Sequence, residues 1–263
     1  MITSKDNPKI KQLRSVAARK RRDRSGLFAG EGEDLLAEAL RRGMQPQAVF
    51  YDEREQKALA ALLDGIDKHV ELHAVDTLVL ASASALGSGS RVICLWDQRW
   101  SELGALSSRQ AGVYLHEVSD PGNVGTVIRA AMAFDAAVAL GPLTADPFGP
   151  KAVRASMGAV FGVPIVRCEF EQAAAVAGLR KVALVPRGGR PLREASAGAV
   201  LFVLGSEREG LPDRIASSCD EIAHVPMISA GADSLNVAMT ATLCLYENLA
   251  HRLPTPPTPS PTT

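Results

Sequence analysis

Five apolar residues in succession, Val200-Leu201-Phe202-Val203-Leu204, suit a strand buried on both faces, as in a parallel sheet. Gly205 then lets the backbone turn sharply, and after a polar stretch an apolar helix runs from Leu235 to Leu249. Strands and helices alternate through the chain before this point. Val113 to Val118 reads as a strand, and a helix opens near Asn123 with Val124, Val127, Ile128 and Ala131 at helical spacing. A strand from Ala136 to Leu140 leads through a Gly/Pro-rich loop into a helix from Lys151 to Gly162. Strands are expected at Pro164 to Arg167, Val182 to Val185 and Glu221 to Val225, with helices at Glu171 to Leu179 and Pro212 to Ser217.

The amino-terminal third has its own rhythm. Helices are expected at Lys9 to Lys20, Glu33 to Arg42, Glu55 to Leu63 and Thr77 to Ala81, and strands at Ala48 to Tyr51, Val70 to Ala74 and Arg91 to Trp96. Gly26 to Gly32, with three glycines, receives no element. The pattern predicts an α/β protein in two parts: a small α/β/α domain over 1–96, a linker of broken periodicity over 97–109, and a parallel-sheet domain over 110–252. The tail 253–263 alternates Pro and Thr and reads as extended and disordered.

With 263 residues the chain is long enough to bury a full core, and its formal net charge is zero. That neutrality hides a basic start: Lys5, Lys9, Lys11, Arg14, Arg19, Lys20, Arg21, Arg22 and Arg24 face only Asp6 and Asp23 within the first 24 residues. Arginine offers a planar fork suited to phosphate oxygens, so Arg19, Arg21 and Arg22 are candidate contacts to a polyanion, although a solvated charged face is the plainer reading. Lys151 and Arg154 open a helix whose dipole they oppose, a second hint of an anionic partner. Phe50 and Tyr51 are the phenylalanine and tyrosine of the expected amino-terminal strands, too few for base stacking across a sheet face. Cys94, Cys168, Cys219 and Cys244 lack metal-ligand spacing and read as free thiols, and no metal is expected. No signal peptide or membrane-spanning run is legible, which points to the cytoplasm.

Ligands of open parallel sheets bind at the carboxyl ends of the strands. Three loops converge there: one with Asn123 and, a turn and a half on, Arg129; one with Glu207; and one with Ser234 and Asn236. Ser234 stands where the cap of the last helix is expected; Glu207 could equally cap a helix, and Asn123 could be an Asx-turn residue. His116 and His224 read as ordinary core or rim residues. The Gly122-x-x-Gly125 spacing lacks the third glycine and the acidic residue of a dinucleotide site, which argues against redox chemistry.

Asn123-x-Gly125-x-x-x-Arg129, Leu204-Gly205-x-Glu207-x-x-Gly210-Leu211, and Pro226-Met227 followed by Ser234-Leu235-Asn236-Val237 resemble the three signature motifs of the SpoU (TrmH-type) branch of the SPOUT methyltransferases. Lys151-Ala-Val-Arg154-Ala-Ser156-x-Gly158-Ala159 is similar to a further family block. Asn7-Pro8-x-Ile10-Lys11 with Gly26-x-Phe28-x-x-Glu31-Gly32 resembles a ribosomal-protein-like substrate-binding domain. The resemblance implies a homodimer with a trefoil knot, S-adenosylmethionine held around Leu204, Gly205, Gly210, Val225, Met227 and Leu235, and methyl transfer to a ribose 2′-hydroxyl. It gives Asn123, Arg129, Glu207, Ser234 and Asn236 catalytic work and turns Arg19, Arg21, Arg22, Lys151 and Arg154 toward RNA. Large-subunit ribosomal RNA is the expected substrate, transfer RNA the alternative, and RNA binding without catalysis a further one.

Overall fold

The computed structural model describes residues 1–87, 89–228 and 233–253. Most of the expected tail therefore lies outside the described residues, as do residues 229–232 of the loop before the last helix.

The amino-terminal domain comprises α1 (Pro8–Ser15), α2 (Arg19–Ser25), β1 (Leu27–Glu31), α3 (Glu33–Arg41), β2 (Ala48–Asp52), α4 (Gln56–Asp64), β3 (Glu71–Val75), α5 (Thr77–Ala81) and β4 (Val92–Asp97). Its sheet has the order β1-β4-β2-β3, with β2 and β3 parallel and the other pairs antiparallel. Period-2 alternation sorts the side chains onto two faces. Phe50, Ile93 and Leu95 pack with Ile10, Leu13 and Val16 of the first helical segment and Val79 and Leu80 of α5. Phe28, Val49, Tyr51, Cys94 and Trp96 face a larger core shared with the second domain.

Two expectations are corrected here. A single helix from Lys9 to Lys20 is two, because the carbonyls of Val16 and Ala17 turn aside to accept from the Arg22 guanidinium at 2.8 and 2.7 Å. The stretch Gly26 to Gly32 holds an edge strand, β1, in antiparallel register with β4 from Leu27↔Asp97 to Glu31↔Ile93. Phe28 of that strand stacks on Phe148 and Phe161, and Trp96 on Phe161, with centroids 5.1, 6.0 and 4.6 Å apart. Phe28 and Trp96 of the small sheet are thus spent on domain docking, while Phe50 packs inside the small domain.

The second domain runs β5 (Ala111–Leu115), α6 (Pro121–Ala133), β6 (Ala136–Leu140), α7 (Pro150–Ser156), β7 (Ile165–Arg167), α8 (Phe170–Ala174), β8 (Arg180–Leu184), β9 (Arg190–Pro191), α9 (Leu192–Ala195), β10 (Val200–Leu204), α10 (Asp213–Ala216), β11 (Glu221–His224) and α11 (Val237–Arg252). Seven strands form one sheet in the order β7-β6-β5-β10-β8-β11-β9, every pair parallel. β5, β6 and β10 are buried at every position, as their unbroken apolar runs require. The expected linker is built in: a 3₁₀ segment, Leu103–Ser108, buries Leu106 completely in the core on one face of this sheet. Helix α7 stops short of the expected Gly162, because Met157 turns left-handed (φ 49°) and a separate 3₁₀ turn, Ala159–Phe161, follows.

Candidate functional site

All seven strands are parallel, so their carboxyl ends share one rim, and a cleft of about 300 Å³ opens there beside β8, β10 and β11. Leu204, Gly205, Glu207, Gly210, Val225, Met227, Ser234 and Leu235 line it, and so do Leu184, Val185 and Pro186 at the end of β8. These last three were not singled out from the sequence; their only signal is that they follow a buried strand neighbouring β10. Gly205 has a packing reason. Any Cβ there would collide with the backbone of Gly210 and Leu211, where the loop folds back on itself through the Ser206↔Gly210 bridge.

Asn236 is the N-cap of α11: its side chain accepts from the amides of Ala238 and Met239 at 2.8 and 3.3 Å. Ser234, expected in that role, lies two residues outside the helix, exposed at the cleft. Capping leaves the Asn236 amide nitrogen free to donate to Asn123 Oδ1 at 3.0 Å, and Asn123 Nδ2 donates in turn to Glu207 Oε1 at 2.7 Å. Asn123 is itself set by Asp120, the N-cap of α6, whose carboxylate accepts from the Asn123 amide at 2.9 Å. Helix α6 therefore opens at Pro121 rather than near Asn123. One line of hydrogen bonds, Asn236 to Asn123 to Glu207, ties the three loops together.

Arg129 is exposed and has no hydrogen bond or ion pair among the described residues. It follows Asn123 by six positions, which places it about 9 Å along α6 and roughly 120° around its axis. Arg129 shares an exposed stripe with Thr126 and Ala133 instead. Gly125, between the two motif residues, lies where α7 crosses α6; a side chain there would strike the Ala152 carbonyl.

The candidate phosphate ligands divide. Arg19 and Arg21 on α2 are exposed, as is Lys151. Arg154 is exposed too, beside Glu31, Glu33 and Asp34 in a hollow of about 560 Å³ between the domains. Arg22 is corrected: it is 4 % exposed, pairs with Asp146 at 2.8 Å and donates to two carbonyls, so its guanidinium is committed to joining the domains. The four cysteines are free, and burial pushes all of their thiols up, Cys168 and Cys219 to about 11. Among the described residues no cluster of three or more His, Cys, Asp or Glu is arranged to hold a metal ion, and no helix is long and apolar enough to cross a membrane.

A parallel sheet with a cleft at its carboxyl rim, bordered by a loop that turns at Gly205 and joined to a small α/β domain, defines a two-domain α/β protein with its ligand site at the strand ends. Residues 110–246 match the SpoU rRNA Methylase family and residues 7–93 the MRM3-like substrate binding domain. The chain belongs to the SpoU rRNA methylase family. It is similar to the Bacillus subtilis 23S rRNA (guanosine(2553)-2′-O)-methyltransferase RlmP, 27 % identical over 93 % of this chain and 97 % of that one. A 23S rRNA (uridine(2479)-2′-O)-methyltransferase of Streptomyces viridochromogenes is 27 % identical over 96 % and 92 %. Among solved structures, an AdoMet-bound rRNA methyltransferase from Sinorhizobium meliloti superposes with a TM-score of 0.84 and 31 % identity, covering 96 % of this chain and 98 % of that one.

Proposed function

We propose that the protein transfers a methyl group from S-adenosylmethionine to a ribose 2′-hydroxyl of large-subunit ribosomal RNA. The line Asn236–Asn123–Glu207 at the mouth of the cleft carries this reading, because it fixes one residue from each of the three motifs at one place. The cleft suits the cofactor. Leu184, Leu204, Leu211, Val225 and Val237 give apolar walls for an adenine, the tight turn at Gly205 presents backbone, and Glu207 supplies a carboxylate at the mouth. When bound there, S-adenosylmethionine supplies an electrophilic methyl on sulfonium.

The chain's own residues then have the nucleophile to prepare. A guanidinium carries a permanent positive charge and a fork of N–H donors, so Arg129 works as phosphate clamp and stabiliser of the developing alkoxide. Proton removal falls to a phosphate oxygen, to Glu207 or to water. Asn123 and Asn236 hold Glu207 and the ribose in register, and Ser234 hydrogen-bonds at the cleft. The separation of Arg129 from Asn123 around α6 favours a homodimer in which Arg129 serves the partner's site. Met239, Leu243 and Tyr246 of α11 form an exposed apolar stripe, 58, 38 and 54 % accessible, that a second subunit would cover. The return of the chain from β11, near one sheet edge, to α11 over β5 and β10 is consistent with a threaded trefoil knot.

Ribosomal RNA is favoured over transfer RNA. A protein described for 2-OH methylation of C/U34 on tRNA covers only 54 % of this chain, so about half the chain has no counterpart there, whereas the ribosomal relatives span both domains. A ribosomal RNA substrate supports a cytoplasmic location. Methyl transfer from labelled S-adenosylmethionine to large-subunit ribosomal RNA and to bulk transfer RNA tests this directly, and mapping of 2′-O-methyl sites with and without the protein locates the nucleotide. Labelling of transfer RNA alone, or of neither, overturns it.

A further inference from the structure

We propose that the crevice between the two domains at the carboxyl ends of β6 and β7 is a second nucleotide subsite, which takes an unpaired nucleotide two or three positions from the methylated ribose. This rests on the RNA reading above. The crevice measures about 310 Å³ and draws on both domains and the segment between them: Arg19 from α2, Trp100, the loop from Gly141 to Pro147, and Arg167 at the end of β7.

Its central feature is a ready-made stacking platform. Arg167 lies over the Trp100 ring, Cζ 4.1 Å from the centroid. The ring is held from below, edge-on to Phe148 at 5.0 Å, and by Nε1 donating to Gln98 Oε1 at 3.2 Å. A guanidinium held over an aromatic ring can offer its other side to a base and its remaining N–H groups to a phosphate. Arg167 and Arg19, 44 and 49 % exposed, share one loose partner, Asp23, at 3.9 Å from each. Half-exposed pairs of that length contribute little, so a phosphate can displace them. Of the two carboxylates in the crevice wall, Glu169 is engaged in the capping box that opens α8 and Asp146 is paired with the buried Arg22. Gly141 in the crevice wall has a packing reason: the buried Tyr114 hydroxyl occupies the space a side chain there would need.

Topology supplies the spacing. The crevice and the cofactor cleft open on the same rim, and β6 stands two places from β10 with β5 between them. Two strand spacings are about 10 Å. A single strand of RNA following the rim from the ribose at Asn123 would cross that distance in two or three nucleotides.

Steady-state methyl transfer to a large-subunit ribosomal RNA fragment centred on the mapped nucleotide tests the assignment, with the fragment trimmed by single nucleotides from either side. Arg167→Ala is expected to raise KM about tenfold on the full fragment, the loss of roughly one stacked base, with kcat and S-adenosylmethionine affinity unchanged. Arg167→Lys, which keeps the charge and loses the plane, should recover little, and Arg19→Ala should raise KM less. Trimming past the second or third nucleotide on one side should raise the wild-type KM by the same factor and leave Arg167→Ala unmoved. Equal KM for wild type and Arg167→Ala on the full fragment, or a defect that persists after trimming, overturns the subsite while the methyltransferase reading stands. Failure of the wild type to methylate any ribosomal RNA removes both.

Discussion

Asn123 can neither be shortened nor charged without consequence. It donates to Glu207 through Nδ2 and accepts from Asn236 through Oδ1, a polarity that only an amide supplies. Asn123→Ala leaves Glu207 and Asn236 unguided, and a loss of about tenfold to a hundredfold in kcat follows from misplacement of this kind. Asn123→Asp should be worse near neutral pH, because it sets a second carboxylate against Glu207; like charges at that distance push one group to hold its proton, so part of the deficit should return as pH falls. A pH profile of kcat for both variants checks this, and a flat Asn123→Asp profile at wild-type level refutes the role. Arg129→Ala should abolish transfer with S-adenosylmethionine affinity nearly intact by calorimetry, since the cleft does not include Arg129. Most of these residues were legible as candidates from type and spacing, but their division of labour was not. Ser234 satisfied every sequence rule for an N-cap, and the helix begins two residues later because Asn236 reaches two amides at once.

At the scale of elements, what the sequence hid is mostly non-local. β10 and α5 fall where their patterns put them, residue for residue, because continuous apolar runs and an Asp76 cap are local signals. β1 was invisible because its partner β4 lies more than sixty residues away and glycines dilute its pattern. The break between α1 and α2 was equally hidden, since its cause is the Arg22 guanidinium, itself set by Asp146 of the other domain. Arg22 illustrates how composition misleads: in a run of cations it reads as one more phosphate ligand, yet it is the buried one. Removing either partner of such a pair strands a desolvated charge, at a cost of about 3–5 kcal/mol. Arg22→Ala and Asp146→Ala should each lower the melting temperature by that measure, and the double replacement Arg22→Met/Asp146→Leu should recover much of it. Calorimetric melts with all three near wild type would show that the pair does not join the domains. Gly205→Ala should fail differently, by forcing the loop off Gly210, with loss of S-adenosylmethionine binding and little change in the fold of the amino-terminal domain.

For the whole molecule, the separation between Asn123 and Arg129 has a consequence that a single chain cannot reveal. If each active site takes its cofactor cleft and its Asn236–Asn123–Glu207 line from one subunit and its guanidinium from the other, variants defective in different parts must complement. Gly205→Ala spoils the cleft of its own subunit, and Arg129→Ala spoils the site of its partner. A mixed dimer of the two then contains one site with both defects and one with neither. Each variant alone should be inactive, whereas an equimolar mixture exchanged through unfolding and refolding should regain about a quarter of wild-type activity per subunit, because half the dimers are mixed and each carries one good site. Charge placed on the α11 stripe, as in Leu243→Glu with Tyr246→Glu, should yield monomers by sedimentation and abolish recovery, while leaving the cleft of each subunit to bind S-adenosylmethionine. Absence of complementation in a verified mixed dimer would instead assign Arg129 to its own chain's site, and the rotation around α6 would then have to be met by the path of the RNA.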